Sequence, residues 1–222
     1  MAKWQLLDGT QDIARLAADR IGEAAARAIA ERGRFSLVLA GGTTPLQAYR
    51  LLATTQQDWS HWDLYYGDER CLPANHAQRN SHMVEQTGLT ARVGGHYPIP
   101  AELGAEQAAA SYAETIENAM PFDLVLLGMG EDGHTASLFP GQAWPQAAVV
   151  AVHAAPKPPP DRVSLSPAAL QACRQMLVLV SGEGKREALQ AWRDGADLPI
   201  ARVADIAQAE VLAERGLMAE PA

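Results

Sequence analysis

The residues best suited to chemistry in this chain are Asp132 and His134, which follow an apolar stretch in the run 122–141, FDLVLLGMGEDGHTASLFPG. That stretch breaks at Gly128 and Gly130 and delivers the two side chains into what reads as an exposed turn, where α/β scaffolds carry their reacting groups. An imidazole with an ordinary pKa of about 6.5 suits a general base at neutral pH. Asp132 either orients the ring or serves a backbone turn, and the residue types leave both open. His61, His76, His82, His96 and His153 lack a comparable setting. Thr135-Ala136-Ser137 reads as the start of a helix after the turn.

Three further clusters supply binding groups. Gly41-Gly42-Thr43-Thr44-Pro45 lies between a strand and a helix, where glycines let the backbone approach a ligand and helix-start amides favour an anion such as a phosphate. It matches neither GxxxxGK[ST] nor GxGxxG, so nucleotide binding is not indicated, and a tight turn with a helix cap is the plainer alternative. Gly67-Asp68-Glu69-Arg70 follows a second strand, with Asn75, His76, Arg79, Asn80 and Ser81 after it. Asp68 is a candidate proton acceptor or orienting group, and Arg70 and Arg79 are candidates to hold a phosphate through paired donors. A solvated charged loop is the alternative there. The last cluster is cationic: Lys157, Arg162 at the start of a strand, and Lys185 opening a helix after Gly182-Glu183-Gly184.

The elements that position these groups alternate along the chain. Helical spacing of apolar residues over 12–31 closes at Gly33, and the apolar run 35–40 reads as a strand buried on both faces. Pro45 starts a helix with Thr44 as its cap. Strands are expected at 62–66, 123–127, 147–153, 162–166 and 176–180, and helices at 102–120, 167–173 and 184–193. The segment after Asp194 is alanine-rich, with a reduced late strand at 210–213. This alternation predicts an α/β fold with a mostly parallel sheet and crossover helices.

At 222 residues and 48% hydrophobic content, a single globular domain over 1–222 is the simplest organisation. The net charge of -8 argues against a general binder of nucleic acid or membrane surfaces, so any anionic ligand must meet local cations. Cys71 and Cys173 are isolated, which fits a reducing compartment and a structural or incidental thiol beside the site. No apolar run approaches the roughly 18–20 residues needed to span a bilayer, and a cytoplasmic protein is expected.

Taken in order, the four clusters resemble the 6-phosphogluconolactonase family, within the wider group that includes glucosamine-6-phosphate deaminases. The motifs are 40–45 (AGGTTP), Asp68-Glu69-Arg70 with Asn80-Ser81, the run 128–141, 158–165 (PPPDRVSL) and Gly182-Glu183-Gly184-Lys185, spanning about residues 10–195. The resemblance implies a three-layer α/β/α sandwich, modified Rossmann-like, that binds no nucleotide. It also implies hydrolysis of 6-phospho-D-glucono-1,5-lactone in the oxidative pentose phosphate pathway, with no metal or cofactor. His134 would be the base, assisted by Asp132 and Asp68, and amides of the glycine turns, Gly130 among them, would meet the oxyanion. Gly41, Gly42, Thr43, Thr44, Arg162 and Lys185 would hold the phosphate, with Arg70 and Arg79 as secondary candidates. The expected partner is the small sugar-phosphate lactone, with no nucleic acid or membrane, on a monomer or weak dimer.

Two rivals differ in detail. The deaminase/isomerase relatives look as if they carry a tyrosine in place of Arg70 and a glutamate in place of Phe139, and a phenylalanine cannot hydrogen-bond an imidazole. A sugar-phosphate sensor of the kind found in transcription regulators should carry a helix-turn-helix, and the stretch before Phe35 offers one helix only.

Overall fold

Five consecutive buried residues, Phe35-Ser36-Leu37-Val38-Leu39, form a central strand, and its neighbours on both sides run parallel to it. In a computed structural model that describes residues 1–218, the elements are β1 (Lys3–Leu7), α1 (Thr10–Arg32), β2 (Phe35–Leu39), α2 (Thr43–Ala53), β3 (Trp62–Tyr66), β4 (Asp68–Arg70), α3 (Asn80–Glu85), β5 (Gly95–His96), α4 (Ala105–Ile116), β6 (Phe122–Gly128), β7 (Val149–Val152), β8 (Arg162–Leu165), α5 (Pro167–Gln171), β9 (Cys173–Val180), α6 (Arg186–Arg193), α7 (Pro199–Ile206) and β10 (Glu210–Glu214). The main sheet has seven parallel strands in the order β1-β10-β9-β6-β2-β3-β5. Helices flank it, giving the expected three-layer α/β/α sandwich. On α1, Ile13, Ala14, Ala17, Ile21, Ala24, Ala25 and Ala28 are buried at helical spacing against β2, β6 and α2. The alanines on that face allow close approach, and the helix ends at Gly33 in a left-handed turn.

A second, antiparallel sheet, not foreseen in the sequence, accompanies the expected mostly parallel one. Strands β4, β8 and β7 pair antiparallel, with Arg70 opposite Arg162 and Asp68 opposite Ser164. Asp68-Glu69-Arg70 reads as a charged loop because its polarity hides a strand, yet Asp68 and Glu69 are buried. Gly67 turns the chain from β3 into β4, donating to the Leu39 carbonyl and accepting from the Leu165 amide.

Other boundaries move for local reasons. Helix α2 begins at Thr43 behind Gly42, whose φ of 108° is glycine territory, so Thr44 is inside the helix and does not cap it. Gly104, at φ 89°, delays the start of α4 to Ala105, and that helix ends at Ile116. A 3-10 turn over Glu183–Lys185 precedes α6, so Lys185 lies just ahead of the helix. The 135–137 stretch forms no helix: Thr135 bridges to Leu138, and the Thr135 hydroxyl donates to the Gly128 carbonyl. Strand β9 starts at Cys173, which ends α5 at Gln171. The late strand expected at 210–213 is present as β10, Glu210–Glu214, and pairs with both β1 and β9. Cys71 and Cys173 are both free, and burial pushes each thiol up to about 11. No helix among the described residues is long and apolar enough to cross a membrane.

Candidate active site

Strands β9, β6, β2 and β3 are consecutive neighbours in one parallel sheet, so the residues that follow them emerge along a single edge. That edge brings together the glycine loop after β2, the His134 turn after β6, and Lys185 after β9. The second sheet closes the other side with Asp68, Arg70 and Arg162. All these groups line one cleft of about 200 Å³, with Gly41, Gly42, Asn80, Gly128, Met129 and Gly130 in its walls.

His134 is held from both directions. Its Nδ1 is hydrogen-bonded to Asp132 Oδ1, and the same oxygen accepts from the His134 amide at 3.3 Å. With Nδ1–H donated to a carboxylate, Nε2 keeps its lone pair, and Nε2 has no hydrogen-bond partner among the described residues. The ring packs on Phe139, with centroids 4.7 Å apart. The Gly130 amide donates to the His134 carbonyl at 2.7 Å and closes the turn. A Cβ at Gly130 would lie 2.0 Å from Nδ1, so only glycine lets the backbone pass so close to the imidazole. The turn is less open than its sequence suggests, since the His134 side chain is only 18% exposed. Burial therefore lowers its pKa below 6.5; the Asp132 hydrogen bond and charge oppose this, Lys157 reinforces it, and Asp68 opposes it. For Asp132, burial works against the charged form, yet the imidazole's hydrogen bond and charge bring the net shift downward.

Asp68 does not reach His134. Its Oδ2 accepts from the Ser137 hydroxyl at 2.7 Å and its Oδ1 from the Asn80 amide group at 3.0 Å. With both oxygens engaged, it stands as a fixed negative charge in the cleft wall. Asn80 in turn lies against Gly41, where a Cβ would come within 2.1 Å of Asn80 Oδ1.

The cations divide. Arg162 is buried, with Nε donating to the Pro159 carbonyl at 3.1 Å and Nη2 to the Lys157 and Pro158 carbonyls at 3.0 and 3.1 Å. Burial disfavours its charge, Asp68 favours it, and Arg70 across the strand pair disfavours it. Two arginines directly opposed on antiparallel strands repel each other. Lys185 is half-buried, and its pKa is lowered first by that burial. Arg79 is a correction: it faces away from the cleft, buried against Glu69 at 3.1 Å and Glu102 at 3.0 Å, and donates to the Leu72 and Ile99 carbonyls. An arginine in a polar loop reads alike whether it meets a ligand or a buried carboxylate. Thr43 is exposed and outside the cleft lining, and the Thr44 hydroxyl is engaged with Ser181 at 2.7 Å. Neither is a wall of the site.

The family model for glucosamine-6-phosphate isomerases/6-phosphogluconolactonase matches residues 8–212. The chain belongs to this family. A 6-phosphogluconolactonase from Streptomyces coelicolor is 38% identical over 208 residues, covering 83% of this chain and 80% of that protein. One from Mycobacterium tuberculosis is 35% identical over 206 residues, covering 82% and 81%. The crystal structure of a 6-phosphogluconolactonase from Shewanella baltica superposes with a TM-score of 0.86 at 30% identity, covering 96% of this chain and 98% of that one.

Glu69 is the group whose role the residue pattern does not reveal. It is fully buried and accepts from the amides of Arg70, Asn80 and Ser81 at 2.7–2.8 Å and from the Ser81 hydroxyl at 2.8 Å. It thereby ties the start of α3 to β4 and places Asn80 against both Asp68 and Gly41. The pairing of Glu69 with Asn80-Ser81 eleven and twelve residues later is the signal that was available. Among the described residues, no three His, Cys, Asp or Glu side chains come together to hold a metal ion.

Proposed function

We propose that this protein hydrolyses 6-phospho-D-glucono-1,5-lactone to 6-phosphogluconate, with His134 as the base. The carrying observation is the imidazole at the cleft: Nδ1 is committed to Asp132, Nε2 is unpaired among the described residues, and its pKa is lowered, so it is neutral at pH 7. In the first step Nε2 takes a proton as the water oxygen bonds to the lactone carbonyl carbon. The tetrahedral centre then collapses, the bond to the ring oxygen breaks, and the leaving oxygen recovers that proton from the imidazolium. Asp132 steadies the imidazolium in between.

The amides of Gly130 and Gly133 are used within the turn, donating to the His134 and Gly130 carbonyls. The Gly41 and Gly42 amides make no backbone hydrogen bond among the described residues and line the cleft, so the oxyanion is assigned to them. The phosphate is assigned to Lys185, Arg162 and Arg70. A dianion between the two opposed arginines relieves their repulsion, and its remote binding energy holds the ring for attack. An isomerase reading is less favoured, because Phe139 packs on the imidazole where the isomerase relatives are expected to carry a glutamate, leaving Asp132 as its carboxylate partner. The deciding assay is a pH-stat measurement with freshly made lactone beside an ammonia assay with glucosamine 6-phosphate. Acid release from the first and no ammonia from the second is expected, and the reverse pattern overturns the assignment.

A further inference from the structure

Ala40, the residue between β2 and the glycine loop, is held by a side chain rather than by a strand. Strands β2 and β6 pair only at Leu37 with Leu124 and Val38 with Val125, whereas β6 stays with β9 as far as Gly128. The gap left as β2 departs is the floor of the cleft, lined by Leu39 and Ala40 on one side and Leu126 and Leu127 on the other. A strand that loses its neighbour leaves amide and carbonyl groups in need of partners. Ala40 is 8% exposed and makes no backbone hydrogen bond among the described residues. One hydroxyl serves both of its groups: Tyr49 accepts from the Ala40 amide at 2.9 Å and donates to the Ala40 carbonyl at 3.0 Å. Tyr49 is fully buried on α2, the helix that the loop itself opens, and reaches back past the helix start as long helical side chains do. Burial raises its pKa, so the hydroxyl keeps the proton it donates.

We propose that Tyr49 is a positioning residue for the reaction, whose hydroxyl sets the direction of the Gly41 amide that meets the oxyanion. The inference rests on the lactonase reading above. The Ala40 carbonyl and the Gly41 amide belong to one planar trans peptide, in which C=O and N–H point in opposite directions. A hydroxyl that holds the carbonyl on one side therefore fixes the amide on the other, and Gly41 lines the cleft. Because the same oxygen also takes the Ala40 amide, the peptide planes on both sides of the Ala40 Cα are tethered to one atom. Donation to the carbonyl polarises the peptide as well and strengthens its N–H as a donor. A donor fixed in advance in this way needs no reorganisation when charge develops on the substrate oxygen.

Tyr112 provides the control. Its buried hydroxyl accepts from the Tyr66 amide at 2.8 Å and donates to the carbonyls of Tyr97 at 3.2 Å and Tyr66 at 3.4 Å, at the end of β3. The amide that follows, Gly67, is spent on the Leu39 carbonyl, so the same kind of clasp there directs no free donor. The test compares wild type, Y49F and Y112F by steady-state kinetics with the lactone and by amide NMR with hydrogen exchange. Both variants should melt at lower temperature, since each leaves buried backbone groups unpaired. Only Y49F should lose kcat, by about tenfold to 100-fold, less than the removal of an oxyanion donor outright, with KM near its wild-type value. In wild type the Ala40 amide should be protected from exchange while the Gly41 amide exchanges freely, and in Y49F the Gly41 resonance should shift. A folded Y49F that keeps kcat within about twofold overturns the proposal, as does an equal loss in Y112F. A Gly41 amide as protected as that of Ala40 overturns it whether or not Y49F folds. Wild type without lactone turnover overturns the function reading instead, and the exchange and shift of the Gly41 amide still decide whether Tyr49 directs it.

Discussion

Replacing Gly130 by alanine tests the site with one methyl group. Gly130 does not occupy the positive-φ region, so alanine is acceptable to the backbone and the effect comes from collision alone. The new Cβ would lie 2.0 Å from His134 Nδ1, 2.1 Å from Cε1 and 2.7 Å from Asp132 Oδ1, whereas real Cβ contacts essentially never fall below 3.0 Å. The imidazole must therefore retreat by about 1 Å, and a displacement of that size at a reacting group costs on the order of 100-fold in rate. G130A should lower kcat of lactone hydrolysis by about that factor. KM should stay near its wild-type value, since the cations that hold the phosphate are on other segments. Thermal melting separates loss of catalysis from loss of fold. G216A is the control, because a Cβ there meets nothing within 4 Å. If G130A is folded and retains kcat within about twofold, the imidazole is not acting from this position.

Three other perturbations follow from the geometry. The acid limb of kcat/KM should have its midpoint below 6.5, because burial outweighs Asp132 at His134; the neutral base is present above that midpoint and is lost as pH falls through it. The same depression means that the unfolded chain binds this proton more readily, so His134 should withdraw stability as pH falls below about 6.5. An acid limb above that value contradicts the burial argument. K185A should raise KM by about tenfold or more, the scale of a hydrogen bond to a charged group, and flatten the dependence of KM on salt; an unchanged KM removes Lys185 from the phosphate site. E69Q should destabilise the protein by roughly 3 kcal/mol in urea unfolding, since it turns a buried carboxylate ion-paired with Arg79 and hydrogen-bonded by three amides into a group with two donors of its own. A loss below about 1 kcal/mol would show that the node joining β4 to α3 contributes little.

The legible parts of the fold are those in which burial and hydrophobicity coincide. Strands β2, β3 and β6 are buried on both faces and read as apolar runs, and the alanine-rich face of α1 keeps one period for most of the helix. Where burial is achieved by polar partners, the pattern goes silent. Strand β4 is the clearest case: Asp68 and Glu69 are buried through Ser137, Asn80 and Ser81, none of which a hydropathy pattern can anticipate. Strand β1 is half-exposed at the sheet edge, and β5 has two residues, too short for any period. Strands β7 and β8 are legible as strands, but nothing in Val149–Val152 or Arg162–Leu165 reveals that they pair antiparallel in a separate sheet. The site was legible where glycines punctuate strand ends. It was illegible at Arg79, where only the partner distinguishes a ligand-facing guanidinium from a buried one.

Comparison of three histidines shows why the chemistry belongs to one of them. His153 is exposed and bonded on both nitrogens, to Asp161 and to Glu106, and those two hydrogen bonds raise its pKa. Holding its proton too firmly and having no free lone pair, it is a clasp between α4 and the loop before β8. His96 shows the opposite failing: burial lowers its pKa, but its Nε2 is occupied by the Tyr66 hydroxyl at 2.8 Å, away from the cleft. His134 combines what each of the others lacks. One carboxylate on Nδ1 fixes the tautomer and direction of the ring, and burial against Phe139 keeps that carboxylate from saturating it with a proton. A second acidic partner would move it toward His153, and the loss of Asp132 would leave it as unoriented as a buried imidazole without an anchor. The base therefore depends on a balance between burial and a single ion partner, and Gly130 maintains it by admitting the ring to the one position where both act.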